Sequence, residues 1–129
     1  MSFSEKIRKY AELQKRNIDD VITESLFDLS ASVVISTPVD KGTLANSWKA
    51  STSAPAEGVA LEGDTINWSS VEDTVAASVG GVYYFVNNQP YAAVIEYEGH
   101  SEKAPAGMLR INIENYGKML DTAIGNVTK

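Results

Sequence analysis

The chain has 129 residues, 43% of them apolar, a formal net charge of -6, no cysteine and one histidine. That length suits a single domain over residues 1–129 with one core. The missing cysteines exclude disulfides and thiolate metal sites, and the acidic balance argues against coating nucleic acid, which needs a basic face.

The opening MSFSEKIRKYAELQKR carries charges throughout, so it does not read as a secretory signal. No run of roughly 18 apolar residues occurs, so no membrane span is expected, and cytoplasmic synthesis and use is the expectation. From Ser4, read as the N-cap, Ile7, Ala11, Gln14, Ile18, Val21, Ser25, Leu29, Ser32 and Ser36 keep a helical spacing. Ile7 stands where a capping box would have its Glu. This predicts a long helix over 1–37, with an apolar stripe along about 30 residues, a rod of about 45 Å, stopped by Pro38. A small domain cannot cover so long a stripe, so part of it is expected to meet another subunit.

Trp48 to Thr52 reads as the start of a strand, and Ala54 to Gly58 as a loop of small residues. Thr74–Val79 and Val82–Val86 around Gly80-Gly81 read as a two-residue hairpin. The stretch 54–75 reads as an exposed loop or insertion. Pro90 favours a short helix of about two turns through Tyr91, Val94, Ile95 and Tyr97. A loop, HSEKAPA, follows Gly99. Leu109, Ile113, Tyr116, Leu120, Ala123 and Val127 then give a closing amphipathic helix with Gly117 as a weak point. The expected fold is α+β: a long N-terminal helix, a small antiparallel sheet, a short helix, and a C-terminal helix packed on the sheet. The expected core is Ile18, Val21, Ile22, Leu29, Val33, Leu44, Trp48, Val82, Phe85, Ile95, Leu109, Ile113, Tyr116 and Leu120.

The segment TPVDKGTLANSW, residues 37–48, is dense in residues that often carry chemistry. It does not match a phosphate loop, having one glycine, one lysine and no preceding strand. Ser47 and Thr43 lack a nearby histidine to activate them. A structural turn accounts for each residue: Pro38 ends the helix, Asp40 accepts backbone N–H groups, Gly42 supplies an unusual backbone angle, and Leu44 and Trp48 return to the core. Glu96 and Glu98 invite an acid–base reading, but residues two apart on a helix do not face each other. His100 in its polar loop reads as a surface histidine. Glu57, Glu62, Asp64, Glu72 and Asp73 lack calcium-loop spacing and read as a solvated face. The aromatic residues Tyr83, Tyr84, Phe85, Tyr91 and Tyr97 read as core or interface packing. No catalytic, cofactor-binding or metal-binding residue is assigned, and no cofactor is expected.

Taken in order, TPVDKGTLANSW, PYAAVIEYEG and APAGMLRINIENYGKML resemble the tail-component, or tail-completion, family of long-tailed bacteriophages. Pro38, Val39, Asp40, Gly42, Leu44 and Ser47 match the first family motif, Tyr91, Ala92 and Glu96 the second, and Pro105 and Leu109 the third. The departures are Lys41 in place of a usual Thr, one extra residue before Gly99, and Met108 where an aromatic residue is usual. The resemblance spans most of the chain outside 54–75.

It implies a virion protein of the head-to-tail joint without enzymatic activity, similar to tail terminators and assembled in the host cytoplasm. Such proteins form a ring, commonly a hexamer, that caps the tail tube and docks on neck and connector proteins. DNA passes through the ring without specific binding, and no membrane is involved; net negative charge suits such a channel. The first helix, 54–75 and 98–106 are the expected contact regions. The alternatives are another neck component such as a stopper, a minor tail protein, or a small host-directed hydrolase or inhibitor using Ser47 and Glu96.

Overall fold

The computed structural model describes residues 2–38, 42–98 and 107–127. The fold is α+β, 62% helical and 7% strand. In chain order it has α1 (Phe3–Ser36), a 3-10 turn (Ala45–Ser47), β1 (Trp48–Ser51), α2 (Trp68–Ser78), β2 (Tyr84–Asn87), α3 (Ala92–Glu98), α4 (Leu109–Glu114) and α5 (Tyr116–Val127).

Helix α1 has 34 residues, about 51 Å of rod. Its cap lies two residues earlier than expected. Ser2 Oγ accepts from Glu5 N while the Glu5 carboxylate accepts from Ser2 N, a complete capping box. At the other end Thr37 is extended, as the residue before a proline prefers. Its Oγ1 donates back to Val33 O at 2.8 Å.

The sheet has two antiparallel strands, with Trp48 opposite Asn87 and Ser51 opposite Tyr84. Two strands are marginal alone, and helices supply the rest of the core. Val33, Leu44, Trp48, Ala92 and Met108 form its buried centre, with Leu29, Phe85, Ile95 and Leu109 packed against it. Trp48 stacks on Phe85 with ring centroids 5.2 Å apart. Helix α5 packs chiefly along α1 rather than on the sheet. Ala123 is fully buried there, and Ser25 Oγ and Tyr116 OH share a hydrogen bond of 2.7 Å.

Further expectations need correction. Residues 74–78 are the end of helix α2, so no hairpin forms around Gly80-Gly81. Asn67 caps that helix by accepting from Ser70 N, and Val71, Val75 and Ser78 recur at helical spacing on its buried face. Gly80, at φ +84°, turns the chain after the helix, and Gly81 N donates to Ser78 O. The 54–75 segment is therefore loop to Asn67 and helix from Trp68. The closing helix is broken at Asn115, where φ -90° and ψ 0° leave the helical region. Finally, Ile18, Val82 and Ile113 are exposed rather than core. Ile18 lies where α1 leaves the body, and the other two border a surface groove.

Candidate functional site

The two best-built polar clusters of the described residues involve the three sequence motifs. In the first, Gly42 adopts φ +81°, a region that favours glycine. Its carbonyl accepts from Asn46 N and from Asn46 Nδ2, both at 2.9 Å. Asn46 Oδ1 in turn accepts from Ile66 N at 3.3 Å, tying the loop before α2 to the turn. Ser47 is fully buried. Its Oγ donates to Thr43 O at 2.5 Å and accepts from Ala60 N at 2.8 Å and Gln89 Nε2 at 3.0 Å. Trp48 Nε1 donates to Thr37 Oγ1 at 2.9 Å, and Asn87 Nδ2 to Leu44 O at 2.8 Å. The turn thus holds the end of α1, the 60–66 loop and the segment after β2 in one register. Val39 and Asp40 of the motif lie outside the described residues, as does Lys41. Pro38 is half-buried and Leu44 is core.

The second cluster centres on Glu96, only 6% exposed. Helix α4 begins after Met108, whose side chain cannot cap it, so the carboxylate of Glu96 on α3 does so. Oε1 accepts from Met108 N at 2.8 Å and Leu109 N at 2.6 Å. Oε2 accepts from Arg110 N at 3.1 Å and Arg110 Nε at 3.0 Å. Arg110 Nη2 also donates to Glu96 O, and its guanidinium lies 5.1 Å from the Tyr97 ring centroid. Burial alone would raise the Glu96 pKa, but the backbone donors of Leu109, Arg110 and Met108 and the Arg110 side chain outweigh it and hold the carboxyl below its ordinary value. Gly107, at φ +86°, lets the backbone approach: a Cβ there would lie 2.7 Å from Glu96 O.

Thr43 Oγ1 and Tyr91 OH, 3.2 Å apart, join the first motif to the second, and the Glu96 clamp joins the second to the third. Ala92 is core, Tyr91 is exposed, and Leu109 packs beside Met108. Pro105 and His100 lie outside the described residues, and Glu98 is described by its backbone alone. The sequence reading missed Thr37, Asn46, Asn87, Gln89, Gly107 and Arg110. Only Gly107 carried a signal, a glycine just before a helical pattern.

Ser47 and Glu96 have no partner in common. The bonds of Ser47 Oγ to Thr43, Ala60 and Gln89 are structural, and both oxygens of Glu96 are occupied by α4. Among the described residues no group of three or more His, Asp or Glu could hold a metal, and no helix is long and apolar enough to cross a membrane.

Two surface features lie on either side of α1. One is an apolar groove of about 550 Å³ between α1, the 78–85 segment and α4. The other is a cleft of about 430 Å³ with Asp20, Glu24 and Glu72 in its lining. Glu24 Oε1 accepts from Asn126 Nδ2, while Oε2 is buried without a hydrogen-bond partner. Burial, and then the charge of Glu24, raises the Asp28 pKa. Comparison with family models, with characterised proteins and with solved structures finds no match.

Proposed function

We propose that this chain is a structural protein of the head-to-tail joint of a long-tailed bacteriophage, a tail-completion or tail-terminator protein that forms a ring on the tail tube. The observation carrying this reading is the order of the three motifs, TPVDKGTLANSW, PYAAVIEYEG and APAGMLRINIENYGKML. Their contact with one another in the fold supports it. Thr43 bonds Tyr91, Glu96 caps the helix that begins after Met108, and the motif residues fix backbone rather than present reactive groups. A 34-residue helix that outruns its body supplies surface for neighbours around a ring. The net charge of -6 suits a channel that passes DNA without holding it.

The test is electron microscopy of particles made without this protein. Tails of uncontrolled length, or full heads beside unattached tails, are the expected result. Heads that leak their DNA would transfer the assignment to a stopper, and normal virions would end the tail reading altogether. A hydrolase built on Ser47 and Glu96 has no support from the geometry, because neither side chain is set beside a partner that would activate it.

A further inference from the structure

We infer that the N-terminal arm of α1 docks in the apolar groove of a second copy of this chain. The inference does not rest on the tail reading. It rests on three features of α1 and its surroundings.

The first is an uncovered stripe. From Val21 onward α1 lies against the body, and Ser25, Ser30 and Val33 are buried. Before Asn17 every described side chain is exposed, including Phe3 at 78% and Ile7 at 53%. Phe3, Ile7 and Ile18 continue the face that the body covers further along, at spacings that keep them in one row. No Gly or Pro interrupts residues 3–36, so the arm is one rigid rod with the rest of α1. It cannot fold back onto its own groove, and among the described residues nothing covers its stripe.

The second is the groove. Ile22, Leu26, Leu29 and Val33 form one wall, and Val82 and Ile113 border it with 56% and 54% exposure. Isolated exposed apolar residues are ordinary, but a contiguous apolar groove marks a contact surface. An amphipathic helix laid into such a groove by residues three and four apart is a recurring mode of recognition.

The third is charge, which selects the occupant. Residues 3–16 hold five of the chain's 11 Lys and Arg and two of its 17 Asp and Glu, a net +3 against -9 for the remainder. Residues 17–36 of the same helix carry Asp19, Asp20, Glu24 and Asp28 and no cation. This order is the reverse of what a helix dipole favours, since cations stabilise the C-terminal end and acids the N-terminal end. The segregation therefore does not serve the isolated helix. It does serve a basic arm that meets an acidic body. The residues lining the groove carry no charge, so the attraction acts between the basic arm and the acidic body as a whole, including Asp19 one turn before Ile22. The contact is heterologous, arm to groove, so it can propagate from copy to copy or close into a ring.

Because the chain has no cysteine, cross-linking reads the contact directly. Ile7→Cys, carrying an affinity tag, is mixed in purified form with untagged Val82→Cys and oxidised. Both positions are exposed, so neither change disturbs the core. The mixed, tag-shifted dimer is expected at least several-fold above a control pairing of Ile7→Cys with Leu61→Cys, and Lys6→Glu with Lys9→Glu on the arm should reduce it several-fold. A mixed cross-link no stronger than the control overturns the inference. So does a dominant Ile7–Ile7 product, which would place arm against arm. Co-sedimentation of the arm with anionic vesicles or duplex DNA, with the mixed cross-link at control level, assigns it to those surfaces and likewise overturns it. The readout uses purified protein alone, so its failure is separable from failure of the tail role, which is read in particles.

Discussion

A single carboxylate does in this fold what a loop side chain usually does for a helix. Glu96 reaches from α3 to satisfy the first N–H groups of α4, because Met108 offers no acceptor of its own. Replacing a buried, hydrogen-bonded charge leaves several donors unsatisfied, at about 1–3 kcal/mol for a single unsatisfied group. Glu96→Gln keeps one acceptor and the volume, and it should lower unfolding free energy by about 2 kcal/mol in denaturant titrations. The pH dependence follows from the sign of the shift. The folded pKa lies below the ordinary 4.5, so the ionised form is favoured by folding. Its contribution is complete above the unfolded value and is lost as pH falls through the folded one. The gap between wild type and Glu96→Gln should therefore narrow on acidification below about pH 4.5. A gap that stays constant down to acid unfolding would contradict the clamp.

The glycines of the two clusters make a matched pair of tests at the same scale. Gly42 and Gly107 both have positive φ, at 81° and 86°. Among the described residues a Cβ at Gly42 meets Asn46 Nδ2, at 3.2 Å, whereas one at Gly107 runs into Glu96. Gly42→Val adds a β-branched side chain in a region such residues avoid, and damage to folding or assembly is expected. Gly107→Ala should cost about 2 kcal/mol or more, since it combines strain with displacement of a capping group. Thermal melts separate the two: a harmless Gly42→Val would sink the turn reading, and a harmless Gly107→Ala would sink the close approach.

At the level of elements, α2 is where sequence and structure part. The run Thr74–Val79 has the small and β-branched residues of a strand, and the glycine pair after it resembles a hairpin turn. The helical spacing of Val71, Val75 and Ser78 competes with that pattern, and Asn67 as a cap decides it. Helix α1 was legible because its apolar period persists for many turns without a breaker. The Glu96 clamp was not, because the contact of a carboxylate with backbone N–H groups 12 to 14 residues away leaves no mark in spacing. The turn 42–48 was legible as a turn, but its role as a hub was not, since Ala60, Ile66 and Gln89 reach it only through the tertiary fold. Asn67→Ala should remove about 1 kcal/mol of stability as the loss of a cap. In the opposite direction, Gly125 lies in α5 with open space where a Cβ would go. Gly125→Ala should raise stability by about 0.5 kcal/mol through helix propensity. Denaturant midpoints of the two variants would move in opposite directions, and a stabilising Asn67→Ala would mean that α2 is not held at its start as described.

For the molecule as a whole, the arm and the body should prove separable in stability but not in association. Cutting residues 2–16 removes no side chain described as buried. It also leaves a competent helix start, because Asn17 would become the cap, with Asp19 and Asp20 in the first turn where acids favour the dipole. The shortened chain should thus unfold within about 0.5 kcal/mol of the full one, the usual range for changes that touch no packed group. Its net charge would fall from -6 to -9, which increases repulsion between copies. Sedimentation should then find the shortened chain monomeric at concentrations where the full chain associates. The full chain's association should weaken as salt rises, since the Debye length shrinks from about 10 Å at 0.1 M to about 3 Å at 1 M. The apolar stripe sets a floor to that weakening, because burial of Phe3 and Ile7 does not depend on screening. Association that survives the truncation undiminished would place the self-contact elsewhere on the body. A collapse in folding stability would mean that the arm belongs to the core of its own copy rather than to its neighbour.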